Sequence, residues 1–142
     1  MDEKTFAEGR TSVRVRYPET DRMNVVYHAH YLVWFELGRT ELLRDLGCDY
    51  GTLEDRDGIY FPVREVGARY FVPGRYDDRL EIRTALTTVR RSLVRFDYEV
   101  MRKDDDRLLA SGFSEHAAVG RDGRPMRMPD ELRRRLGVKE PA

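Results

Sequence analysis

A single long helical segment, set among shorter stretches in which apolar and polar residues alternate, restricts the fold more than any other feature of the sequence. The helical pattern covers about residues 29–46, and Gly47 follows it where a helix commonly ends. One alternating stretch, over residues 12–17, precedes the helix, and four or five follow it. Strands gathered after one helix predict an α+β fold, in which the helix covers one face of an antiparallel sheet.

The alternating stretches after the helix have the period of two that a half-buried strand requires, and turn-forming residues separate them. They cover residues 66–72, 80–86 and 94–100. Residues 59–64 also look extended, and residues 108–119 are predicted to form the last long strand. Tight turns are predicted at residues 90–92 and 103–106, and a short terminal helix at residues 129–136.

The length of 142 residues suits one domain. We expect this domain to cover residues 11–136, with a flexible N-terminus over residues 1–10 and a flexible tail over residues 137–142. The start of the chain is charged and unlike a signal peptide, and no apolar stretch is long enough to span a membrane. The sequence therefore predicts a soluble, cytoplasmic protein.

The charge composition argues against nucleic-acid binding. The chain has 26 basic and 26 acidic residues, so it lacks the basic excess that attracts phosphate backbones. Aromatic residues on the predicted strands alternate as core residues do, so we interpret them as packing residues rather than as a surface that stacks bases. Cys48 is the only cysteine, which excludes an internal disulfide and a cysteine-based metal cluster.

The loop before the helix combines carboxylates, a histidine and a helix start. Glu19 and Asp21 lie between the first strand and the helix, and His28 lies just before the helix or in its first turn. A helix start supplies unpaired N–H groups and the positive end of a dipole, which can hold a developing oxyanion. A carboxylate and an imidazole beside such a site predict acyl-transfer chemistry.

This segment resembles the hotdog-fold acyl-CoA thioesterases, and it is most similar to the 4-hydroxybenzoyl-CoA thioesterase family in its branch associated with the Tol–Pal system. The matching residues are Tyr17, Glu19, Thr20, Asp21, Val25, Val26, Tyr27, His28, Tyr31, Glu36, Arg39 and Glu41. The likeness continues through residues 61–64 and 73–82 and covers roughly residues 12–120. Asn24 replaces the family's usual glycine, and asparagine tolerates a positive φ. Arg22 and Met23 replace small residues and can narrow the acyl pocket.

The resemblance implies a hotdog fold, an antiparallel sheet of about five strands wrapped around one long central helix. It implies an acyl-CoA thioesterase, which hydrolyses an acyl-CoA thioester to a carboxylic acid and free CoA without a metal or any cofactor besides the CoA of its substrate. Active sites in this fold form at a subunit interface, so the resemblance also implies a homodimer or homotetramer. The open edge of a single curved sheet agrees with such pairing.

Three residues are the catalytic candidates that the resemblance implies. Asp21 matches the catalytic carboxylate, as a nucleophile that forms a mixed anhydride or as a general base for water. His28 matches the functional histidine, and its backbone N–H matches the group that polarises the thioester carbonyl. Tyr17 either orients Asp21 or lines the pocket, with a core aromatic on a strand as the alternative. From local sequence alone, Asp21 would more often be a helix cap or an Asx turn.

Five further residues are the candidates for binding the substrate and its CoA group: Val26, Tyr27, Arg64, Arg90 and Arg91. Val26 and Tyr27 lie in the matched motif directly before the histidine. Arg90 and Arg91 lie at a turn where family members can place basic groups for the CoA phosphates, and a plain charged hairpin is the alternative. Arg64 is a weaker candidate of the same kind.

Glu19 is interpreted as a solvated or structural acid, and His30 and His116 as structural residues. Cys48 follows the helix without an evident base nearby, so we do not expect it to be a thiol nucleophile. Glu36 and Glu41 lie on the helix, where another hotdog subclass uses a carboxylate, but an ion pair with Arg39 or a neighbour is the favoured interpretation. The main rival function is a non-catalytic hotdog module that binds acyl-CoA or acyl carrier protein. A hotdog dehydratase would need a differently arranged histidine and aspartate pair, and no segment of the sequence supplies one.

Overall fold

Five strands form one antiparallel sheet in the computed structural model, which describes residues 5–139. The strands are β1 (Ala7–Arg14), β2 (Val63–Tyr70), β3 (Arg79–Val89), β4 (Leu93–Arg102) and β5 (Arg107–Ala117). They lie in the order β1-β3-β4-β5-β2, so β1 and β2 form the two edges of the sheet. Residues 71–78, which connect β2 to β3, therefore cross the width of β5 and β4 at one end of the sheet.

Three helices accompany the sheet, with a 3₁₀ turn at Tyr17–Glu19 and a π-helical turn at Leu53–Asp57. The helices are α1 (His30–Asp45), α2 (Tyr50–Thr52) and α3 (Asp130–Arg135). Gly47 follows α1 with a φ of 77°, which agrees with the predicted end of the helix. Of the predicted tail, residues 137–139 follow α3 without helix or strand, and residues 140–142 lie outside the described part. Within residues 5–139, no helix is long and apolar enough to cross a membrane.

The buried face of the sheet follows the period of two that the sequence shows. Leu80 and Ile82 of β3 are fully buried, and Tyr98 of β4 is 2% exposed. Helix α1 lies on this face, where Phe35 stacks on Tyr98 with ring centroids 4.4 Å apart. The close approach requires Gly112 on β5, because a Cβ at that position would overlap the Phe35 ring. One helix packed on one antiparallel sheet confirms the α+β prediction.

The first strand begins and ends earlier than predicted. β1 spans Ala7–Arg14 rather than residues 12–17, and it pairs with β3 along its full length. Residues 7–10, which the sequence places in a flexible N-terminus, therefore belong to the sheet, whereas residues 1–4 lie outside the described part. The inward positions here include small residues such as Gly9, which packs closely against α1. The hydrophobic alternation that marks a strand is consequently weak.

One strand replaces the two extended stretches predicted directly after the helix. β2 spans Val63–Tyr70 and so crosses the predicted break between residues 59–64 and 66–72. Before it, Tyr60 forms an isolated bridge with Val119. Pro62 has no N–H group to donate, so regular pairing starts after it.

Truncation of Phe35 tests the contact between α1 and the sheet. Phe35→Ala removes a fully buried ring, and such cavities cost about 3–5 kcal/mol of the free energy of unfolding. Tyr76→Ala, at a side chain that is 58% exposed, should change stability by less than about 1 kcal/mol. Chemical denaturation followed by circular dichroism measures both changes. A Phe35→Ala loss no larger than that of the control would contradict the described packing.

Candidate active site

The loop before α1 folds back on itself as a short hairpin over residues 19–27, in which residues 19–21 pair with residues 25–27. The N–H of Asp21 donates to the carbonyl of Val25, and the N–H of Tyr27 donates to the carbonyl of Glu19, both at 2.9 Å. This pairing places Asp21 opposite Val25, which precedes His28 by three positions. The two main catalytic candidates therefore lie on one small structural unit at the start of α1.

Asp21 begins an Asx turn at the tip of this hairpin. Its Oδ1 accepts the N–H of Met23 at 2.8 Å, and its carbonyl accepts the N–H of Asn24 at 2.9 Å. Asn24 has a φ of 61°, which agrees with its expected tolerance of a conformation that favours glycine. The turn that the local sequence favours for Asp21 is therefore present, and it holds one carboxylate oxygen in place.

The connection between β2 and β3 holds the hairpin against the end of the sheet. The carbonyl of Gly74 accepts the N–H of Val26 at 2.8 Å, and the N–H of Gly74 donates to the hydroxyl of Tyr31 at 3.2 Å. A Cβ at Gly74 would lie 3.2 Å from both Val26 Cγ2 and the Tyr31 oxygen, which explains the glycine. Val26 is 5% exposed and belongs to the hydrophobic core, so its side chain anchors the hairpin to the core.

Two backbone N–H groups directly before α1 have no backbone partner among the described residues. Three N–H groups bond to carbonyls three residues earlier, those of His30, Tyr31 and Leu32. The N–H groups of His28 and Ala29 precede this series, and they donate to no backbone carbonyl within residues 5–139. Unpaired N–H groups at a helix start stabilise negative charge, so this turn can receive an oxyanion.

The side chain of His28 is exposed and flanked by aromatic rings. The ring of Tyr27 lies 4.5 Å from it between centroids, and the ring of Tyr70, from the end of β2, lies 6.3 Å from it. Tyr70 also donates its hydroxyl to the His28 carbonyl at 3.1 Å. Both tyrosines are almost half exposed, so the candidate site of one chain is an open surface at the end of the sheet.

Tyr17 lies outside the strand predicted for it, whereas Glu19 is a structural acid, one of the two interpretations that the sequence favours. Tyr17 lies in the 3₁₀ turn, is 74% exposed, and packs edge-on against Tyr76 at 5.9 Å between centroids. Its prediction as part of the first strand is wrong, because β1 ends at Arg14 and the 3₁₀ turn that contains Pro18 begins at Tyr17 itself. Glu19 is only 6% exposed and accepts the N–H of Arg16 at 2.7 Å, so it is structural rather than solvated.

The three arginines predicted to bind CoA phosphates lie at the opposite end of the sheet. Arg90 and Arg91 form the turn after the last residue of β3. The first residue of β3 lies at the end of the sheet near the hairpin, and the length of the strand separates the two ends by about 35 Å. Arg64 precedes Tyr70 on β2 by six residues, or about 20 Å. All three side chains are exposed. One chain alone therefore does not bring these arginines to Asp21.

Comparison with known proteins decides the family. Residues 15–136 match the family model of the thioesterase-like superfamily. This chain belongs to that superfamily. The match covers most of the described chain, including the hairpin, α1 and all strands except β1.

Two curated relatives agree with the assignment. YneP of Bacillus subtilis is 43% identical over 75 residues, which are 53% of this chain and 54% of YneP, so the match spans about half of that relative. The acyl-CoA thioester hydrolase YbgC of Escherichia coli O6:H1 is 36% identical over 96 residues, 68% of this chain and 71% of YbgC.

The DHNA-CoA thioesterase of Staphylococcus aureus has a solved structure that superposes with a TM-score of 0.83 at 28% identity. The superposition covers 91% of this chain and 90% of that one. This likeness confirms the hotdog fold, and the family confirms the predicted enzyme class, a thioester hydrolase.

A buried chain of polar groups lies at the far end of the sheet, and the sequence analysis missed it. The oxygens of Tyr98 and Ser114 lie 2.5 Å apart, Ser114 lies 2.7 Å from Nε2 of His116, and Nδ1 of His116 lies 3.1 Å from the carbonyl of Phe61. A carbonyl only accepts, so Nδ1 of His116 carries the proton and Nε2 accepts from Ser114. Tyr98 must then donate to Ser114. Inward positions on β4 and β5 are visible in the sequence, but the partners across strands are not.

Arg39 lies beside this polar chain rather than in the predicted ion pair with a helix glutamate. It is 9% exposed, and the phenol groups of Tyr98 and Tyr50 lie next to its guanidinium. Burial acts to lower the pKa of Arg39, but the two phenol groups outweigh burial and raise it. Its Nε has no hydrogen-bond partner within residues 5–139. Glu41 pairs with Arg44 at 2.5 Å, which is the predicted ion pair with a neighbour on the helix.

The buried histidine makes stability depend on pH. Burial, followed by the charge of Arg39, lowers the pKa of His116 to about 4. The unfolded chain takes up a proton near pH 6.5 and the folded chain only near pH 4, so the folded state loses stability as the pH falls through this range. The total loss from this group is about 3 kcal/mol. His116→Gln should remove this dependence, as urea unfolding at a series of pH values measures.

Ser114→Ala is the matched control, because it breaks the same polar chain and keeps the titrating ring. It should retain the loss of stability at low pH that His116→Gln removes. An NMR titration in which the His116 ring takes up its proton near the unfolded-state value of about 6.5 would contradict the described burial.

Proposed function

We propose that this protein is an acyl-CoA thioesterase, which hydrolyses an acyl-CoA thioester to a carboxylic acid and free CoA. The observation that carries the proposal is the placement of Asp21 in a hydrogen-bonded turn of the hairpin that leads directly into the open N–H groups before α1. The acyl-CoA thioester hydrolase activity named for YbgC supports the substrate class. The proposed reaction uses no metal and no cofactor besides the CoA of the substrate.

The thioester carbonyl lies, in this proposal, between Asp21 and the helix start. Its oxygen accepts the N–H of His28, which stabilises the negative charge that develops as the carbon becomes tetrahedral. As a general base, Asp21 takes a proton from the water whose oxygen bonds to the carbonyl carbon; the carbon–sulfur bond then breaks and the CoA thiolate takes the proton. As a nucleophile, Asp21 displaces the CoA thiolate and forms a mixed anhydride that water hydrolyses. Both routes use the same carboxylate.

The other candidates near the hairpin have supporting roles in this proposal. The exposed ring of His28 lies beside the reacting carbonyl, where it orients the thioester or the attacking water. Tyr27, with its ring next to His28 and 46% exposed, forms a wall of the acyl site. Val26 holds the hairpin from the core, and Tyr17 forms the outer rim of the site together with Tyr76.

Asp21→Asn tests the proposed reaction. The amide keeps the size of the carboxylate but cannot act as nucleophile or base, so kcat should fall at least about 100-fold. Asp122→Asn is the matched control, because Oδ1 of Asp122 accepts the N–H of Arg124 at 3.0 Å in the same kind of turn, beyond the end of β5. Release of the CoA thiol, followed with a chromogenic reagent on short, long and aromatic acyl-CoAs, measures both variants.

The outcomes of this assay separate the two candidate functions. Turnover that depends on Asp21 and not on Asp122 supports the thioesterase and ranks its acyl groups. Full turnover in Asp21→Asn would contradict the role of Asp21. Binding of acyl-CoA by the folded wild-type protein, with no thiol released from any substrate, would instead favour the non-catalytic binding module.

We also propose that the active unit is a homodimer joined along β2. This strand is an edge of the sheet, and three of its apolar side chains are largely exposed: Val63 (53%), Val66 (42%) and Tyr70 (47%). An exposed apolar edge strand readily pairs with another strand. A two-fold axis would make two copies of β2 antiparallel neighbours. A homotetramer, the other predicted assembly, would add a further interface.

Antiparallel pairing of β2 would complete the site that one chain leaves open. It would place the Val63 end of one copy beside the Tyr70 end of the other, so Arg64 would approach the helix start of the second chain. This geometry supports a substrate site built from two chains, with basic residues of one chain near the Asp21 loop of the other.

A charge in the middle of β2 tests the proposed dimer. Val66→Glu should yield a folded monomer with little turnover, because pairing would bury two carboxylates close to each other. Ser12→Glu, at an exposed position on the other edge strand, should remain a dimer. Sedimentation equilibrium measures the assembly of each variant. A monomeric wild-type protein, or a dimeric Val66→Glu variant, would contradict the proposal.

A further inference from the structure

A hydrogen bond from the sheet to the helix start singles out Tyr70. This tyrosine is the last residue of β2, and its hydroxyl donates to the carbonyl of His28 at 3.1 Å. Its ring also meets the rings of His28 and Tyr31 edge-on, at 6.3 and 5.2 Å between centroids. The bonded residues are 42 positions apart in the chain, so the contact joins the sheet directly to the loop that carries the candidate site.

The bond acts on a peptide group that faces the site. The carbonyl of His28 and the N–H of Ala29 belong to the same planar peptide. That carbonyl also accepts the N–H of Tyr31, at the longer distance of 3.3 Å. Two donors on one carbonyl hold the plane of the peptide and polarise it, which makes the N–H of Ala29 a stronger donor. Within residues 5–139 this N–H donates to no backbone carbonyl, so it is open to a ligand.

We propose that Tyr70 is a positioning residue for thioester hydrolysis. Its hydroxyl holds the His28–Ala29 peptide so that the N–H groups of His28 and Ala29 together bind the carbonyl oxygen as that oxygen becomes negatively charged. Tyr70 acts through the peptide plane and does not touch the substrate. The inference rests on the proposed thioesterase function and adds a second N–H group to its oxyanion site, together with the side chain that orients it.

A purely structural role for Tyr70 makes a different prediction. If Tyr70 only held the hairpin against the sheet, its loss would affect stability and substrate binding. The two hydrogen bonds of Gly74, to Val26 and Tyr31, already hold the hairpin in place. The ring of Tyr70 is 47% exposed, so it adds little to the core. A positioning role would lower kcat and leave KM nearly unchanged, because the oxyanion forms only in the transition state.

Tyr70→Phe tests the inference, because it removes the hydroxyl and keeps the ring. We expect kcat to fall about 10-fold and KM to change less than about twofold, since the N–H donors stay but are less firmly held. The melting temperature should stay within about 3 °C of the wild type. In NMR spectra, the carbonyl carbon of His28 and the amide nitrogen of Ala29 should shift, because the carbonyl loses a donor.

Tyr60→Phe is the matched control, because Tyr60 pairs with Val119 beyond the other end of β2. It removes the same phenol hydroxyl and should leave kcat, KM and both resonances unchanged. A loss of kcat in this control equal to that of Tyr70→Phe would overturn the inference, since the effect would not depend on the bond to His28.

The remaining outcomes each decide the question. Shifted resonances in Tyr70→Phe with kcat within about twofold of the wild type would overturn the inference, because the bond would exist without serving catalysis. Unshifted resonances would overturn it because the bond would be absent in solution. A raised KM with unchanged kcat, or loss of folding, would assign Tyr70 a structural role. No turnover by the wild-type protein would overturn the proposed function as well, which separates that failure from the others.

Discussion

The backbone of Gly74 joins three parts of the molecule, and the geometry of the candidate site depends on it. Its carbonyl holds the hairpin through Val26, and its N–H holds the first turn of α1 through Tyr31. Gly74 itself lies on the connection that crosses the end of the sheet. The hairpin carries exposed polar residues and little apolar area of its own, so these two bonds, with the buried side chain of Val26, set the position of Asp21 relative to the helix start.

The fold could be predicted wherever side-chain size makes the strand period visible. Large apolar residues alternate on β3 and β4, and the helix pattern ends at Gly47, so these elements follow from the sequence. The bounds of β1 do not follow from the sequence, because small inward residues such as Gly9 hide its period. Alternation also shows which face a residue occupies but not which strand lies beside it. The polar chain from Tyr98 to Phe61 and the burial of Glu19 were therefore not visible.

The two ends of β2 have different environments, and both bear on the site. At one end, the Phe61 segment is held by His116 inside a buried chain of oriented hydrogen bonds that begins beside Arg39. At the other end, Tyr70 donates to the helix start. A strand fixed at its buried end presents Tyr70 at a constant position. If two copies of β2 pair antiparallel, the buried network of each chain would also support the part of the site that it contributes to its neighbour.

An Asx turn and a catalytic role are compatible in Asp21, although local sequence treats them as alternatives. The turn uses Oδ1, which accepts the N–H of Met23, and each carboxylate oxygen has two lone pairs. Oδ2 lies outside the turn, so it can accept a proton or attack a carbonyl carbon while Oδ1 stays bonded. The bond restricts the side-chain rotation that a free aspartate would have to lose on reaching a reactive geometry. In the proposed reaction the turn is therefore the means by which the loop positions the carboxylate, and its presence does not argue against the catalytic interpretation.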